Sequence, residues 1–299
     1  MTSLLSSNPQ VSSPQNGDQT PELSRIHKNS GWRLSLQTVV ARAYPRLIGQ
    51  NREKSWLFFD IFLPLVSVCA YVFVYQAIKA PEDYIGFVVM GGAMTAFWMN
   101  VLWSMSSQLY WEKEQGNLAL YIITPTSMMA ILLGMALGGL LSTTLRALVI
   151  ILLGSLFFHV QYVVSSFVQL FAVFILTMIS LYGLGMMSAS LFLLLSREAW
   201  HISNLAQEPI YLFSGFYFPI KSFSFWIAAA ASFIPLTLGL DAMRQLVFET
   251  GPSLGFLSVQ LEILILFILS IVFLIAARLM LARMEKLAIQ EGRLTENRR

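Results

Sequence analysis

Residues 203–250 read SNLAQEPIYLFSGFYFPIKSFSFWIAAAASFIPLTLGLDAMRQLVFET, and how often this segment crosses a membrane decides the fold. Ser203–Phe218 is a short apolar run, which Pro219 and Lys221 interrupt. A second short run, Phe223–Leu240, contains Pro235. Each proline removes a backbone donor and disfavours continuous helix. Once broken in this way, the pieces after Pro219 cannot cover about 30 Å of hydrocarbon. The reading favoured is one crossing, then two short helices over 219–248 that enter and return on the same side. Gly215 and Gly239 add points where the chain can bend or be approached closely, and Lys221 and Arg244 are expected near the outer interface. Irregular backbone at that depth is tolerated only where protein or a water-filled cavity covers it. The hairpin is therefore either an element of a pathway or a fold over helix ends for packing alone.

Working outward, the other apolar runs are long: Trp56–Ile78, Tyr84–Gln108, Met128–Phe158, Val163–Leu195 and Leu254–Ala277. Stretches of about 20 or more mostly apolar residues read as transmembrane helices. A hydrophobic content of 56% with 12% charged residues agrees. The fold class expected is an all-α membrane protein with six transmembrane helices, spans one to six in chain order with 203–218 as the fifth.

The 19 Lys and Arg residues orient these spans. Seven lie between Arg25 and Lys54, and six between Arg278 and Arg299. Basic residues near helix ends stay on the cytoplasmic side, so both termini are expected inside. Lys113 and Arg197 fall in connections that an even number of crossings also places inside. Only Lys79, Lys221 and Arg244 fall outside, and Arg146 lies within a span. Two full crossings over 203–250 would give seven spans and put the basic C-terminal tail outside.

Residues 1–31 are rich in Ser, Pro, Gln and Asn, lack apolar periodicity and read as a disordered tail. They also lack the apolar stretch of a cleaved signal peptide. Residues 32–285 form the membrane domain and 286–299 a cytoplasmic tail. Leu34–Ile48 reads as an amphipathic interfacial helix: Leu36, Val39, Val40, Ala43 and Leu47 share one face, and Ser35, Thr38, Arg42 and Arg46 the other. Pro45 is expected to bend it toward the first span.

Several chemistries are unsupported. No Gly-rich loop followed by Lys-Ser or Lys-Thr occurs, and no Gly-x-Ser-x-Gly elbow. His27, His159 and His201 have no ligand spacing, no acidic pair sits at metal-binding spacing, and the single Cys69 excludes thiol clusters. No catalytic or metal site is expected. The pI near 9.0 reflects anchoring charge beside spans and does not call for nucleic acid. Four ionisable residues lie deep: Asp60, Arg146, Glu208 and Glu262. Counted from the outer helix ends, Arg146 and Glu262 lie about one turn apart in depth, so they are expected to pair, as a structural lock or as a substrate contact. Gly134 and Gly138, followed by Gly139, would let helices approach closely within one subunit.

The second cytoplasmic connection reads YWEKEQGNLALYIITP (residues 110–125). Its acidic stretch, Gly, short apolar helix and Pro resemble the type-2 ABC transporter permeases. Glu112, Glu114, Gly116 and Pro125 match that order. Ser214–Pro219 resembles the family's small residue and Gly, aromatic run and Pro; Pro235-Leu-Thr and the short helix bearing Arg244 follow in order. The resemblance covers about residues 32–285. It implies the membrane half of an exporter that works as a homodimer or related heterodimer of permeases with two copies of a separate ABC ATPase. ATP and Mg would be used by that partner, and this chain would bind no cofactor. Glu112, Lys113, Glu114 and Gly116 would form the coupling segment. Pro125, Gly215, Pro219, Pro235 and Arg244 would be structural or pathway residues.

The implied location is the plasma membrane, multi-pass, among membrane lipids, with no nucleic acid partner. The cargo expected is a hydrophobic or amphipathic small molecule or a lipid, with a lipid-linked glycan as the alternative. An ion-coupled transporter or channel is the reading from another class. Aromatics in spans two, four and five, among them Trp103, Phe171, Tyr182 and Tyr211, are candidates for lining an apolar path, for packing or for facing lipid.

Overall fold

The computed structural model describes residues 31–124, 126–195 and 197–290. It is all-α, with no strand among the described residues. Helix α1 (Trp32–Arg52) is followed after one break residue by α2 (Lys54–Ala77). Then α3 (Asp83–Met99) runs through a π-helical turn (Asn100–Met105) toward α4 (Gln108–Glu114). A short α5 (Asn117–Ile123) leads to the long α6 (Met128–Phe158), α7 (Phe167–Leu195) and α8 (Arg197–Phe213). The remainder is α9 (Phe225–Ala231), α10 (Pro235–Val247), a four-residue α11 (Gly251–Leu254) and α12 (Val259–Gln290).

Among the described residues, five rods are long and apolar enough to cross a membrane: α2, the Asp83–Glu114 rod, α6, α7 and α12. The Asp83–Glu114 rod is central, with 83% of its apolar window buried, against 11% for α2 and 17% for α12. Helix α7 packs on α12 and α10, while α6 packs on α1 and α3.

The path of residues 197–250 follows from hydrogen bonds that tie it to the other helices. Trp103, near the far end of the Asp83–Glu114 rod from Asp83, donates to Gln207 Oε1 (3.2 Å). Tyr75, at the opposite end of the molecule, donates to the Tyr217 carbonyl (2.9 Å). Helix α8 and the turn after it therefore run along that rod toward the end of the molecule that holds Tyr75; at 17 residues α8 is not itself among the rods long and apolar enough to cross. Beyond it, Lys221 donates to the Ser253 carbonyl (2.8 Å), and Val163 N–H to the Val247 carbonyl (2.8 Å). Thr250 donates from its backbone and its hydroxyl to Asp83 (3.0 and 2.6 Å). Both ends of the 221–247 segment thus lie on the face that carries the α2–α3 and α6–α7 connections, called here the far face. Helices α9 and α10 meet at 108°, so the hairpin enters and returns.

The proline logic holds in detail. Pro219 precedes a single 3₁₀ turn, and Pro235 opens α10 at a first-turn position, where the missing N–H costs little. Every residue of α10 is buried, including its polar Asp241, Arg244 and Gln245. Gly239 lets α10 approach α7, since a Cβ there would meet Thr177 Oγ1 at 2.0 Å.

Helix α1 departs from expectation in two ways. It continues through Pro45 and breaks at Glu53 instead. Its basic face also turns inward. Gly134 and Gly138 of α6 let it approach so closely that a Cβ on either would meet the Val39 or Ala43 carbonyl oxygen at 2.5 Å. The small-residue spacing thus serves packing within the chain, and Arg42 and Arg46 point to protein partners. Trp32, Leu36, Val40, Tyr44 and Ile48, four residues apart, form the exposed stripe. That apolar stripe suits a membrane interface, with the basic side buried against protein.

Candidate functional site

A groove with a volume of about 1400 Å³ runs between α2 and α8, floored by α3 and its π-helical turn. One face of α2 lines it at helical spacing, Trp56, Asp60, Leu63, Ser67 and Tyr71, with Glu53 at the break just before. Helix α8 contributes Gln207, Glu208, Tyr211 and Leu212. The π-helical turn, where the i→i+4 register slips by one residue, sets Asn100, Trp103 and Ser104 into the floor. Tyr182 donates to Asn100 Oδ1 (3.0 Å) from behind and fixes that side chain.

The two ends of the groove differ. At the end nearest α4 and α1 the lining is polar: Arg46, Gln50, Ser107, Gln108 and Gln115. Toward the far face it becomes aromatic, and the Tyr71 ring stacks on Tyr217 with centroids 4.0 Å apart. Tyr217 and Phe218 line that end.

Three of the charged side chains that line it, Arg46, Asp60 and Arg146, have specific partners. Arg146 donates to Asp60 and to the Gln50 carbonyl (3.1 Å). The expected Arg146–Glu262 pair does not form. Matching depths set height but not direction: α6 faces α1 and α3, while α12 faces α7 and α10. Glu262 is fully buried elsewhere and accepts from Gln245 Nε2 (3.2 Å), which also reaches Asp241 and the Leu257 carbonyl (3.2 and 2.8 Å). Arg46 donates to Ser104 and Gln108, and Gln108 in turn donates to Glu112 (2.8 Å).

Glu112 was expected on a charged contact surface, and the structure corrects this. It is buried and also accepts from Asn117 (3.0 Å) and the Tyr121 hydroxyl (2.7 Å). Burial and that hydrogen bond push the Tyr121 hydroxyl far above its ordinary pKa, and Arg42 lies over the ring at 4.2 Å. Glu112 therefore ties α4 to α5 from within. Gly116 makes the reversal between them with φ +78°, in open space. Lys113 is half-buried, and Glu114, Gln115 and Gly116 are exposed at the tip. Pro125 lies outside the described residues. Helix α6 is capped by Ser127, whose hydroxyl accepts from Ala130 N–H (3.2 Å).

Arg244 is likewise corrected. It is buried, not at an interface, and donates to the carbonyls of Gly215 (2.6 Å), Phe216 (2.6 Å) and Phe87 (2.9 Å). Gly215, at φ +72°, turns the chain so that the first two carbonyls face the guanidinium. A Cβ at Gly215 would meet Ile220 at 2.5 Å. Lys221 is exposed on the far face, as expected.

This hairpin, the groove beside it and the α4–α5 reversal all lie within residues 36–248, which match the sequence model of the ABC-2 type transporter family. The chain belongs to the ABC-2 type transporter family. No curated protein and no solved structure matches the chain. As an ABC-2 family member it is a multi-pass membrane permease, the transport component of a system whose family works with an ABC ATPase. Among the aromatics read from the sequence, Trp103 and Tyr211 line the groove, Tyr182 is buried behind it and Phe171 is 67% exposed. Sequence reasoning missed Asp60 as the partner of Arg146, Arg46 and Gln108 as its polar end, and the Tyr71–Tyr217 stack. An ionisable residue in the first apolar run was the one available signal.

Proposed function

We propose that this ABC-2 permease is the membrane half of an ATP-driven exporter that moves an amphipathic small molecule or lipid across the plasma membrane. The observation that carries this reading is the groove, polar at one end and lined by stacked aromatic rings at the other. An amphiphile taken up at the polar end would meet that stack as a gate, as vectorial transport requires. The basic residues of α1 and of the end of α12 support a cytoplasmic placement for that face and for both termini.

On this reading the α4–α5 hairpin meets the ATPase through Lys113, Glu114 and the Gly116 turn. Glu112 holds the hairpin's shape and links it through Gln108 and Arg46 to the groove. Two permease copies would work with two ATPase copies, and ATP and Mg would be bound by the partner. The test is purification of the chain from its native membrane. An ATP-hydrolysing subunit should co-purify, and its hydrolysis should respond to cargo. Transport driven by an ion gradient, with no ATPase in the complex, would overturn the reading in favour of a secondary transporter.

A further inference from the structure

The chemistry of the cargo can be read from which charges in the groove are already balanced. Two guanidinium groups and three carboxylates line it. Arg146 is paired with Asp60. Arg46 is half-buried and linked through Gln108 to the buried Glu112, which opposes its charge. Both cations therefore have an acidic counterpart. Glu53 and Glu208 have no such partner: both line the groove, both are exposed, and neither carboxylate has a hydrogen bond or ion pair among the described residues.

The walls around Glu208 are aromatic. Trp103 lies on the floor, its indole N–H held by Gln207, the residue before Glu208. Tyr211 follows three residues later on the same helix, and Trp56 and Phe59 face it from α2. Trp56 and Phe59 are 66% and 51% exposed, so their rings are available for contact. Aromatic faces attract cations through the ring quadrupole, and more strongly once water is displaced. A free carboxylate at membrane depth is costly unless something compensates it. Carboxylates, aromatic faces and an apolar channel beyond them are complementary to one kind of molecule.

We infer that the groove binds an amphipathic organic cation, its charged end against Glu208 and Glu53 and its apolar body along the rings toward Tyr71. The inference rests on the permease reading and adds the sign of the cargo's charge to it. An anionic amphiphile would meet two carboxylates that have no hydrogen bond or ion pair, while the arginines lining the groove are already engaged.

The test uses the full-length chain in phosphatidylcholine nanodiscs, with binding measured in excess of protein-free discs. Tetraphenylphosphonium and tetraphenylborate carry the same four rings around opposite charges. The phosphonium should bind saturably and the borate should not. Glu208→Gln should weaken phosphonium binding about tenfold, the equivalent of one lost charge contact. Glu208→Asp should retain most of the affinity. Glu249→Gln, which removes a charge on the far face, should leave it unchanged. Glu53→Gln, expected to weaken binding less than Glu208→Gln, decides the matter if the Glu208 variant fails to fold. Saturable binding of the borate, binding of neither ion, or full phosphonium affinity in both Gln variants would overturn the inference. Co-purification of the ATPase is scored separately. A partner present with no cation site sinks only the inference, and a missing partner sinks the ATP-driven exporter reading beneath it.

Discussion

The Tyr71 ring lies flat on the Tyr217 ring, with centroids 4.0 Å apart and planes 11° apart, where the groove approaches the far face. Tyr75 holds the backbone of Tyr217 in place from one turn further along α2. A stacked pair of this kind contributes about 0.5–1.5 kcal/mol beyond its buried area. Replacing Tyr217 with Ala should therefore open the far end. In a Cys69→Ala background, Thr95→Cys places a thiol on the groove floor beneath the stack. A membrane-impermeant thiol reagent added at the far face should label it up to about tenfold faster in the Tyr217→Ala variant. Tyr217→Phe, which keeps the ring, should label at the original rate. Equal labelling of all three would show that the stack is not the barrier.

Arg146 and Asp60 join α6 to α2 across the floor of the groove. Asp60→Asn or Arg146→Gln alone should destabilise the protein by about 1–3 kcal/mol, since each leaves a partner charge uncompensated. The lower part of that range is expected because the Asp60 side chain is 40% exposed and partly screened. Unfolding measured in detergent for the two single variants and the double variant should give a coupling energy of about 1 kcal/mol or more. The parallel cycle for Arg146 and Glu262 should give none.

What could be read from the sequence was what is local. Apolar runs of span length, the breaks at Pro219 and Pro235, and the Gly116 reversal are each written in consecutive residues, and the helices follow them. Partners across the bundle are not written in this way. Counting residues gives the height of Arg146 but not the direction it faces, and by that count Glu262 lay nearer in depth than Asp60 did. Arg244 is satisfied by three backbone carbonyls, which any sequence could supply. Glu112 looks like a surface charge until α5 folds back and Tyr121 covers it. The groove gathers residues from Pro45 to Phe218, so no segment announces it.

Glu112 and Glu114 are two residues apart and should behave differently. Glu112→Lys puts a cation where three donors converge, so it should lower thermal stability and expression and disorder the α4–α5 reversal. A buried acceptor lost from such a network costs about 1–3 kcal/mol, more where charge is involved. Glu114 is exposed, and Glu114→Lys should leave the melting temperature within about 1 °C, as surface substitutions usually do. If the tip contacts the ATPase, Glu114→Lys should still weaken its co-purification. Equal losses of stability in the two variants would contradict the different environments of the two carboxylates.

Arg244 closes the hairpin against the bundle, and its replacement should separate charge from hydrogen bonding. Its guanidinium reaches the carbonyls of Gly215, Phe216 and Phe87 at once, so it joins α10 to the end of α8 and to α3. Asp241, three residues earlier on α10, supplies opposing charge. A lysine keeps the charge but not the planar fork, and it cannot hold three carbonyls in these directions. Arg244→Lys should therefore be destabilised by about 1–3 kcal/mol, the cost of leaving a buried acceptor unpaired. Arg244→Met, which strands all three, should be destabilised further. Gly215→Ala should reproduce much of the loss without touching the charge. Its φ of +72° disfavours a side chain, and the new Cβ would strike Ile220 and displace the two carbonyls that Arg244 grips. Combining Gly215→Ala with Arg244→Met should then cost less than the sum of the two, because both break the same contact. Strictly additive losses in chemical unfolding would mean that the turn and the guanidinium are stabilised independently.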